Sequence, residues 1–122
     1  MALRIPSLVL KQLYTFGSLT NDDNQIRFSV KNRLSDAALT GLQQVKIDND
    51  EVPTKAIFMI LDDGSQVSPA ELADKAIDFP LRQTLVIVCQ IEPLSVGKHR
   101  IEVHFETKPF GKLKLKVEDA IS

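Results

Sequence analysis

The sequence predicts an all-β protein: an antiparallel, immunoglobulin-like β-sandwich of seven to eight strands with one short helix near 68–74. Apolar and polar residues alternate with a period of two, and turn-forming residues separate the alternating runs. With 43% hydrophobic and 25% charged residues, the composition is that of a globular domain. The 122 residues suffice for one core, so we expect a single domain over 1–122, with a small closed barrel as the alternative fold.

Alternation marks the strands in chain order. Ile26, Phe28 and Val30, for example, share one face of a segment whose intervening residues are polar. Strands of this kind need an apolar layer opposite them, which two packed sheets provide. We expect strands at 8–19, 25–33, 45–47, 56–61, 84–91, 99–107 and 112–118. The chain has no Trp and no cysteine pair, which separates it from antibody-type domains.

The one predicted helix has a specific start signal. Ser68 stands at the N-cap, Pro69 at the first helical position and Glu71 at the third, which is the pattern of a capping box. Pro80 prevents the helix from continuing past Phe79.

The strand at 84–91 is apolar on both faces, because Leu85 and Ile87 alternate with Val86 and Val88. Such a strand is typical of the centre of a sheet that is covered on each side. The outer cover could be the loop around Pro80 or another chain. The single cysteine of the sequence lies in this run and is expected to be a buried, unreactive thiol.

Charge and composition exclude several classes of protein. Fifteen Lys and Arg against sixteen Asp and Glu argue against binding nucleic acid or a membrane surface through bulk charge. Residues 1–6 do not resemble a secretory signal, and no run is long enough for a transmembrane helix. We therefore expect a cytoplasmic location.

One row of residues could hold a ligand. Arg100, Glu102, His104 and Glu106 share the polar face of the strand at 99–107. Neighbours along such a row are too far apart to bind one metal ion unless the strand bends, so ion pairing is the simpler interpretation. No nucleotide-binding, hydrolase or metalloprotease motif occurs, and we predict no catalytic residue, cofactor or metal site in this chain.

A fixed order of turn and strand segments runs through the sequence. The segments are KNRLSDA (31–37), VKID (45–48), LDDG (61–64), SPAEL (68–72), PLSVGKHRIEV (93–103) and KPFG (108–111). Across nearly its whole length the chain resembles the small β-subunit of bacterial C-glycoside deglycosidases.

The resemblance implies a β-sandwich that accompanies a larger TIM-barrel subunit. That subunit would carry a divalent metal, usually manganese, and together the two would cleave the carbon–carbon bond between a 3-oxo sugar and an aromatic aglycone. No motif here matches a catalytic residue. The chain also lacks any pattern for the cofactor or catalytic groups of a hydroxymethylglutaryl-CoA reductase, and it is too short to hold them.

We therefore expect a non-catalytic accessory subunit that binds and braces a larger enzyme. The expected contact residues are apolar side chains of the first predicted strand and the last turn: Leu8, Leu10, Leu13, Tyr14, Phe16 and Phe110. A stand-alone interaction or small-ligand-binding domain is the alternative, with the row of Arg100 to Glu106 as its site. Self-association through sheet edges is a third possibility.

Overall fold

A computed structural model of the protein describes residues 5–122. Residues 1–4, on which most of the signal-peptide argument rests, lie outside that range. The helices are α1 (Ser7–Leu10) and α2 (Pro69–Asp74), with short 3-10 turns at Lys11–Leu13 and Thr54–Ala56. The strands are β1 (Thr20–Asp22), β2 (Gln25–Lys31), β3 (Ala37–Ile47), β4 (Asp50–Glu51), β5 (Ile57–Ile60), β6 (Gln66–Val67), β7 (Ile77–Phe79), β8 (Thr84–Cys89), β9 (Gly97–Lys108) and β10 (Gly111–Ile121).

These strands form two antiparallel sheets. Sheet A has the order β1-β2-β8-β5-β6, and sheet B has the order β10-β9-β3-β4, with β7 also paired to β3. The orders β1-β2-β8-β5 and β10-β9-β3 correspond to the A-B-E-D and G-F-C sheets of an immunoglobulin constant-type sandwich. The predicted fold class is confirmed. The strand count is higher than predicted because β1, β4, β6 and β7 are only two or three residues long.

The core lies between the sheets and is built by the alternation that the sequence shows. Ile26 and Phe28 of β2 face it from sheet A, and Val103 of β9 and Leu115 of β10 face it from sheet B. Each buries its side chain almost completely, which contributes about 1.5–3 kcal/mol per large aliphatic or aromatic group. Within residues 5–122, no helix is long and apolar enough to cross a membrane.

Strand β8 is central in sheet A, as its two-faced apolar sequence predicts. It pairs with β2 on one side and with β5 on the other. Cys89, at its end, is fully buried, and burial raises the pKa of its thiol to about 12. The thiol is therefore protonated and behaves as a small apolar side chain.

Helix α2 starts as the capping box predicts. The Glu71 backbone N–H donates to the Ser68 hydroxyl oxygen at 3.2 Å, and the Ser68 backbone N–H donates to the Glu71 carboxylate, also at 3.2 Å. Lys75 leaves the helical conformation, five residues before Pro80.

The predicted strand at 8–19 is wrong. Ser7–Leu10 is a helical turn, Lys11–Leu13 continues it as a 3-10 turn, and only Tyr14 bridges to Val30. The buried positions Leu10, Leu13 and Tyr14 are spaced i, i+3 and i+4, which is the periodicity of a helix. Pro6 precedes the turn with a fixed φ, which suits the start of a helix.

The Asp119 carboxylate fastens this N-terminal segment to strand β10. Its Oδ2 atom accepts from the Tyr14 hydroxyl at 2.7 Å, from the Gly17 backbone N–H at 3.0 Å and from that of Leu19 at 3.2 Å. Burial raises the pKa of Asp119, but these hydrogen bonds outweigh it and leave the pKa below its usual range. Burial, together with Asp119, raises the pKa of the Tyr14 hydroxyl, which stays protonated.

We expect Asp119→Ala to lower the free energy of unfolding by about 2–3 kcal/mol, because a buried hydroxyl and two backbone N–H groups lose their acceptor. Urea denaturation measures the loss. Glu118→Ala is the matched control, because it removes the carboxylate of the adjacent residue. The Glu118 side chain is 59% exposed and lies 4.0 Å from the Arg100 guanidinium group. Its removal should therefore change the free energy of unfolding by no more than about 0.5 kcal/mol. Equal losses in the two variants would show that Asp119 does not hold the segment.

Candidate functional site

The outer face of sheet B carries the polar row predicted from the sequence. Because the intervening residues of β9 are buried, the side chains of Arg100, Glu102, His104 and Glu106 all point away from the core. Strand β10 lies alongside in register. Lys116 is opposite Glu102, and Lys114 is opposite His104. On the other side, Lys46 of β3 is opposite Glu102.

Glu102 is the centre of this charged face. The His104 ring Nε2 lies 2.6 Å from the Glu102 carboxylate, and the ammonium groups of Lys114 and Lys116 lie 3.7 and 3.8 Å from it. The hydrogen bond with His104 is the main reason that the pKa of Glu102 falls below its usual range, and the two lysines add to it. Glu102 is therefore ionised and already well paired, which favours a structural ion-pair cluster over a general acid or base.

The side chains of the predicted row do not all line one pocket. Arg100 and Glu102 line a common groove, whereas Glu106 lies further along β9 and accepts from the Gln43 side-chain amide at 3.3 Å. No group of three or more His, Cys, Asp or Glu side chains in residues 5–122 is placed to hold a metal ion. The residues of this face do not fit a metal.

A groove of about 520 Å³ opens beside Arg100 and Glu102. Its remaining charged and polar lining comes from three other parts of the chain: Lys46 and Asn49 from β3 and the turn after it, Lys116 and Glu118 from β10, and Lys11 from the N-terminal segment, which also contributes the ring of Phe16. Lys11, Lys46 and Asn49 were not predicted as site residues from the sequence. The outward position of Lys46 between Val45 and Ile47 was visible in the sequence, but its proximity to Phe16 was not.

His99 forms a clasp at the end of sheet B next to the groove. Its ring is buried, with Nδ1 2.6 Å from an Asp48 carboxylate oxygen and Nε2 2.7 Å from the Ser95 carbonyl oxygen. Both partners are acceptors, and only the protonated ring can donate from both nitrogens. The Asp48 carboxylate also accepts from the Arg100 backbone N–H at 2.9 Å, so the clasp connects the turn after β3 to the start of β9.

The outer face of sheet A carries apolar side chains at its centre, on β5 and β8, whereas the neighbouring strand β2 places Arg27 and Ser29 opposite Val88 and Val86. Phe58 is directly opposite Val88, and Ile60 is directly opposite Val86. We call these four residues the outer quartet. Phe58, Ile60 and Val86 are half-buried and, like Val88, do not belong to the core cluster between the sheets. Val86 and Val88 are the outer side of the two-faced strand that the sequence predicts, and Phe58 and Ile60 come from the neighbouring strand β5.

The predicted contact residues of the N-terminal segment divide into two sets. Leu8 and Phe16 are 74% and 61% exposed. Leu10, Leu13 and Tyr14 are buried in the core, so their assignment to an exposed patch was wrong, for the same reason as the strand at 8–19. Phe110 is half-buried and packs against the core. The large exposed apolar side chains of the N-terminal segment are therefore Leu8 and Phe16.

Comparison with known proteins gives one family match. A family described as hydroxymethylglutaryl-CoA reductase, N-terminal domain, matches residues 9–122. No curated protein matches the chain. Among solved structures, the crystal structure of ACE19, the collagen-binding subdomain of the Enterococcus faecalis surface protein ACE, aligns with a TM-score of 0.39 and 9% identity, over 90% of this chain and 96% of that one. At that score it carries no argument here, and the fold assignment rests on the strand order.

The His99 clasp makes stability depend on pH. Hydrogen bonding to Asp48 raises the pKa of His99, whereas for Asp48 the bonds from His99 and Arg100 outweigh burial and lower the pKa. The His99 contribution is complete below about pH 6.5, its unfolded pKa, and is lost as pH rises through the folded pKa. The Asp48 contribution is present above about pH 4 and is lost as pH falls through its folded pKa.

We therefore expect the free energy of unfolding to decrease between pH 6 and pH 9 in the wild type and to decrease less in His99→Gln. Urea denaturation across that range measures both slopes. The variant His104→Gln is the control, because it changes the other histidine and leaves the clasp intact. Equal slopes in the wild type and His99→Gln would contradict a protonated clasp.

Proposed function

The chain belongs to the family described as hydroxymethylglutaryl-CoA reductase, N-terminal domain, and from this premise we propose that it is a non-catalytic accessory module that docks on a larger enzyme and braces it. The family is named for a terminal domain of an enzyme. The resemblance to the small β-subunit of C-glycoside deglycosidases gives the larger enzyme a class: a TIM-barrel lyase that cleaves the bond between a 3-oxo sugar and an aromatic aglycone. On this proposal the two subunits work together in the cytoplasm.

The outer quartet is the observation that carries the proposal. Four apolar side chains from two adjacent strands form a continuous patch on a sheet face, and three of them remain partly exposed. Soluble proteins place such patches at contacts with partners. A flat apolar sheet face of this kind suits packing against a preformed surface, where aromatic side chains such as Phe58 contribute most of the binding free energy.

The chemistry of the described residues supports an accessory role. The carboxylates of Glu102 and Asp48 are ionised and paired, and the thiol of Cys89 is protonated and buried. None of these groups is prepared for nucleophilic or acid–base catalysis. Since the side chains here do not fit a metal, the manganese that the resemblance implies would be held by the larger subunit.

We expect the double variant Ile60→Thr, Val86→Thr to weaken binding to a TIM-barrel subunit of the C-glycoside lyase type by about tenfold or more. The substitutions keep a β-branched side chain but replace the ethyl branch of Ile60 and a methyl of Val86 by hydroxyls, which costs at least about 1.4 kcal/mol when the two positions become buried in the contact. Co-expression with such barrel subunits from the same genome, followed by size-exclusion chromatography with light scattering, detects the complex. Titration calorimetry then gives the affinity.

The matched control is Val96→Thr, since Val96 is 79% exposed on a loop away from the quartet. It should bind like the wild type. The proposal fails if the wild type stays monomeric beside every barrel subunit of that class. It also fails if the double variant binds as tightly as Val96→Thr.

A further inference from the structure

The groove on sheet B has the size and chemistry of a small-ligand site that is separate from the outer quartet. Its volume of about 520 Å³ lies within the range of about 300–1,000 Å³ that small-molecule sites occupy. It opens on the opposite sheet from the quartet, so a partner on sheet A would leave it free.

Positive charge is in excess within the groove. Four cationic side chains line it against the two carboxylates of Glu102 and Glu118. Both carboxylates already have partners within the chain. Glu102 pairs with His104, Lys114 and Lys116, and Glu118 lies 4.0 Å from Arg100. The four cations are Lys11, Lys46, Arg100 and Lys116.

Two of those cations, Lys46 and Lys11, form no ion pair with the described residues. Across residues 5–122, no carboxylate oxygen lies within 4.0 Å of the ammonium group of Lys46 or of Lys11. Lys46 is half-buried and in register with Glu102 of β9 on one side and Glu51 of β4 on the other, although neither carboxylate comes within 4.0 Å of its ammonium group. An anion in the groove would therefore gain two favourable charge interactions without displacing an existing ion pair.

An apolar surface is fixed beside these lysines. Phe16 is 61% exposed, yet its ring packs edge-on against Tyr14 with the ring centres 5.2 Å apart. The next residue, Gly17, donates its backbone N–H to Asp119, and Tyr14 donates its hydroxyl to the same carboxylate. The residues on both sides of Phe16 are thus anchored to Asp119 and its ring packs on Tyr14, so that a flat apolar group can stack on the exposed part of the ring at little entropic cost.

We infer that the groove binds a small organic anion that carries a flat apolar group, of the chemical class of aryl phosphates and aryl carboxylates. The anionic group lies between Lys46 and Lys11, and the ring lies against Phe16. The carboxylates of Glu102 and Glu118 disfavour a polyanion, which separates this site from one for nucleic acid.

The test is a titration of the full, ¹⁵N-labelled chain with phenyl phosphate, followed by NMR. We expect saturable shifts of the amides of Phe16, Lys46, Asn49 and Arg100. Inorganic phosphate and benzyl alcohol, which carry one half of the ligand each, should bind at least about fivefold more weakly. Raising the salt concentration should weaken the binding of phenyl phosphate, because the groove is open to solvent.

Two variants connect the binding to the groove. Lys46→Gln and Phe16→Ala should each weaken phenyl phosphate binding at least about fivefold. Lys112→Gln is the control for Lys46, since it removes a lysine from the same sheet face outside the groove. Val96→Ala is the control for Phe16. Both controls should bind like the wild type, and unchanged amide spectra elsewhere confirm that the variants are folded.

The inference is overturned if phenyl phosphate causes no saturable shifts, if inorganic phosphate binds equally well, or if Lys46→Gln behaves like Lys112→Gln. These outcomes leave the docking proposal unaffected, because that proposal is tested by substitutions in the outer quartet. Conversely, a failure to bind any barrel subunit would leave the groove and its ligand class intact.

Discussion

The core and the two outer faces depend on side chains alternating between the two sides of the strands, an alternation that β3 interrupts at two register shifts, between Leu39 and Gly41 and between Leu42 and Gln44. The inward set closes the core: Phe28 and Ile87 from sheet A meet Val103 and Leu115 from sheet B, and all are almost completely buried. Among the residues that the structure describes, the cluster between the sheets is built of aliphatic and aromatic side chains together with the Cys89 thiol.

The centres of the two outer faces differ in chemistry. Sheet A presents the apolar outer quartet, and sheet B presents lysines around the ionised Glu102. The net charge of −1 does not reveal this difference, because the basic residues of sheet B are balanced by acidic residues in the turns of the remaining chain. The structure therefore separates two kinds of contact: burial of apolar surface on one face and attraction of an anion on the other.

The sequence predicted the parts of the fold that local patterns determine. The strands β2, β9 and β10 follow from alternation, β5 and β8 follow from apolar runs between turn-forming residues, and α2 follows from Ser68, Pro69 and Glu71. The N-terminal segment was predicted wrongly because its spacing of leucines suits a helical turn, and because its position depends on Asp119, about a hundred residues away. A side-chain contact over that distance leaves no local pattern in the chain.

The candidate site was predictable to a similar extent. The outward row of Arg100 to Glu106 came from alternation alone, and so did the two faces of β8. The groove required strand register to bring Lys46 beside Glu102, and it required the N-terminal segment to bring Phe16. The His99 clasp likewise needs the turn at Asp48 and the loop at Ser95 to meet. Register and loop placement are tertiary properties, which one sequence read residue by residue does not contain.

The most direct test of a closed, unreactive interior is the accessibility of Cys89, the single thiol of the chain. It lies on the inward face of β8 with no exposed surface. Treating the folded protein with a thiol-specific disulfide reagent at neutral pH should give no reaction on the timescale on which the urea-unfolded protein releases one equivalent of chromophore. Prompt reaction of one equivalent in the folded protein would show that the space between the sheets is open, and would contradict the account.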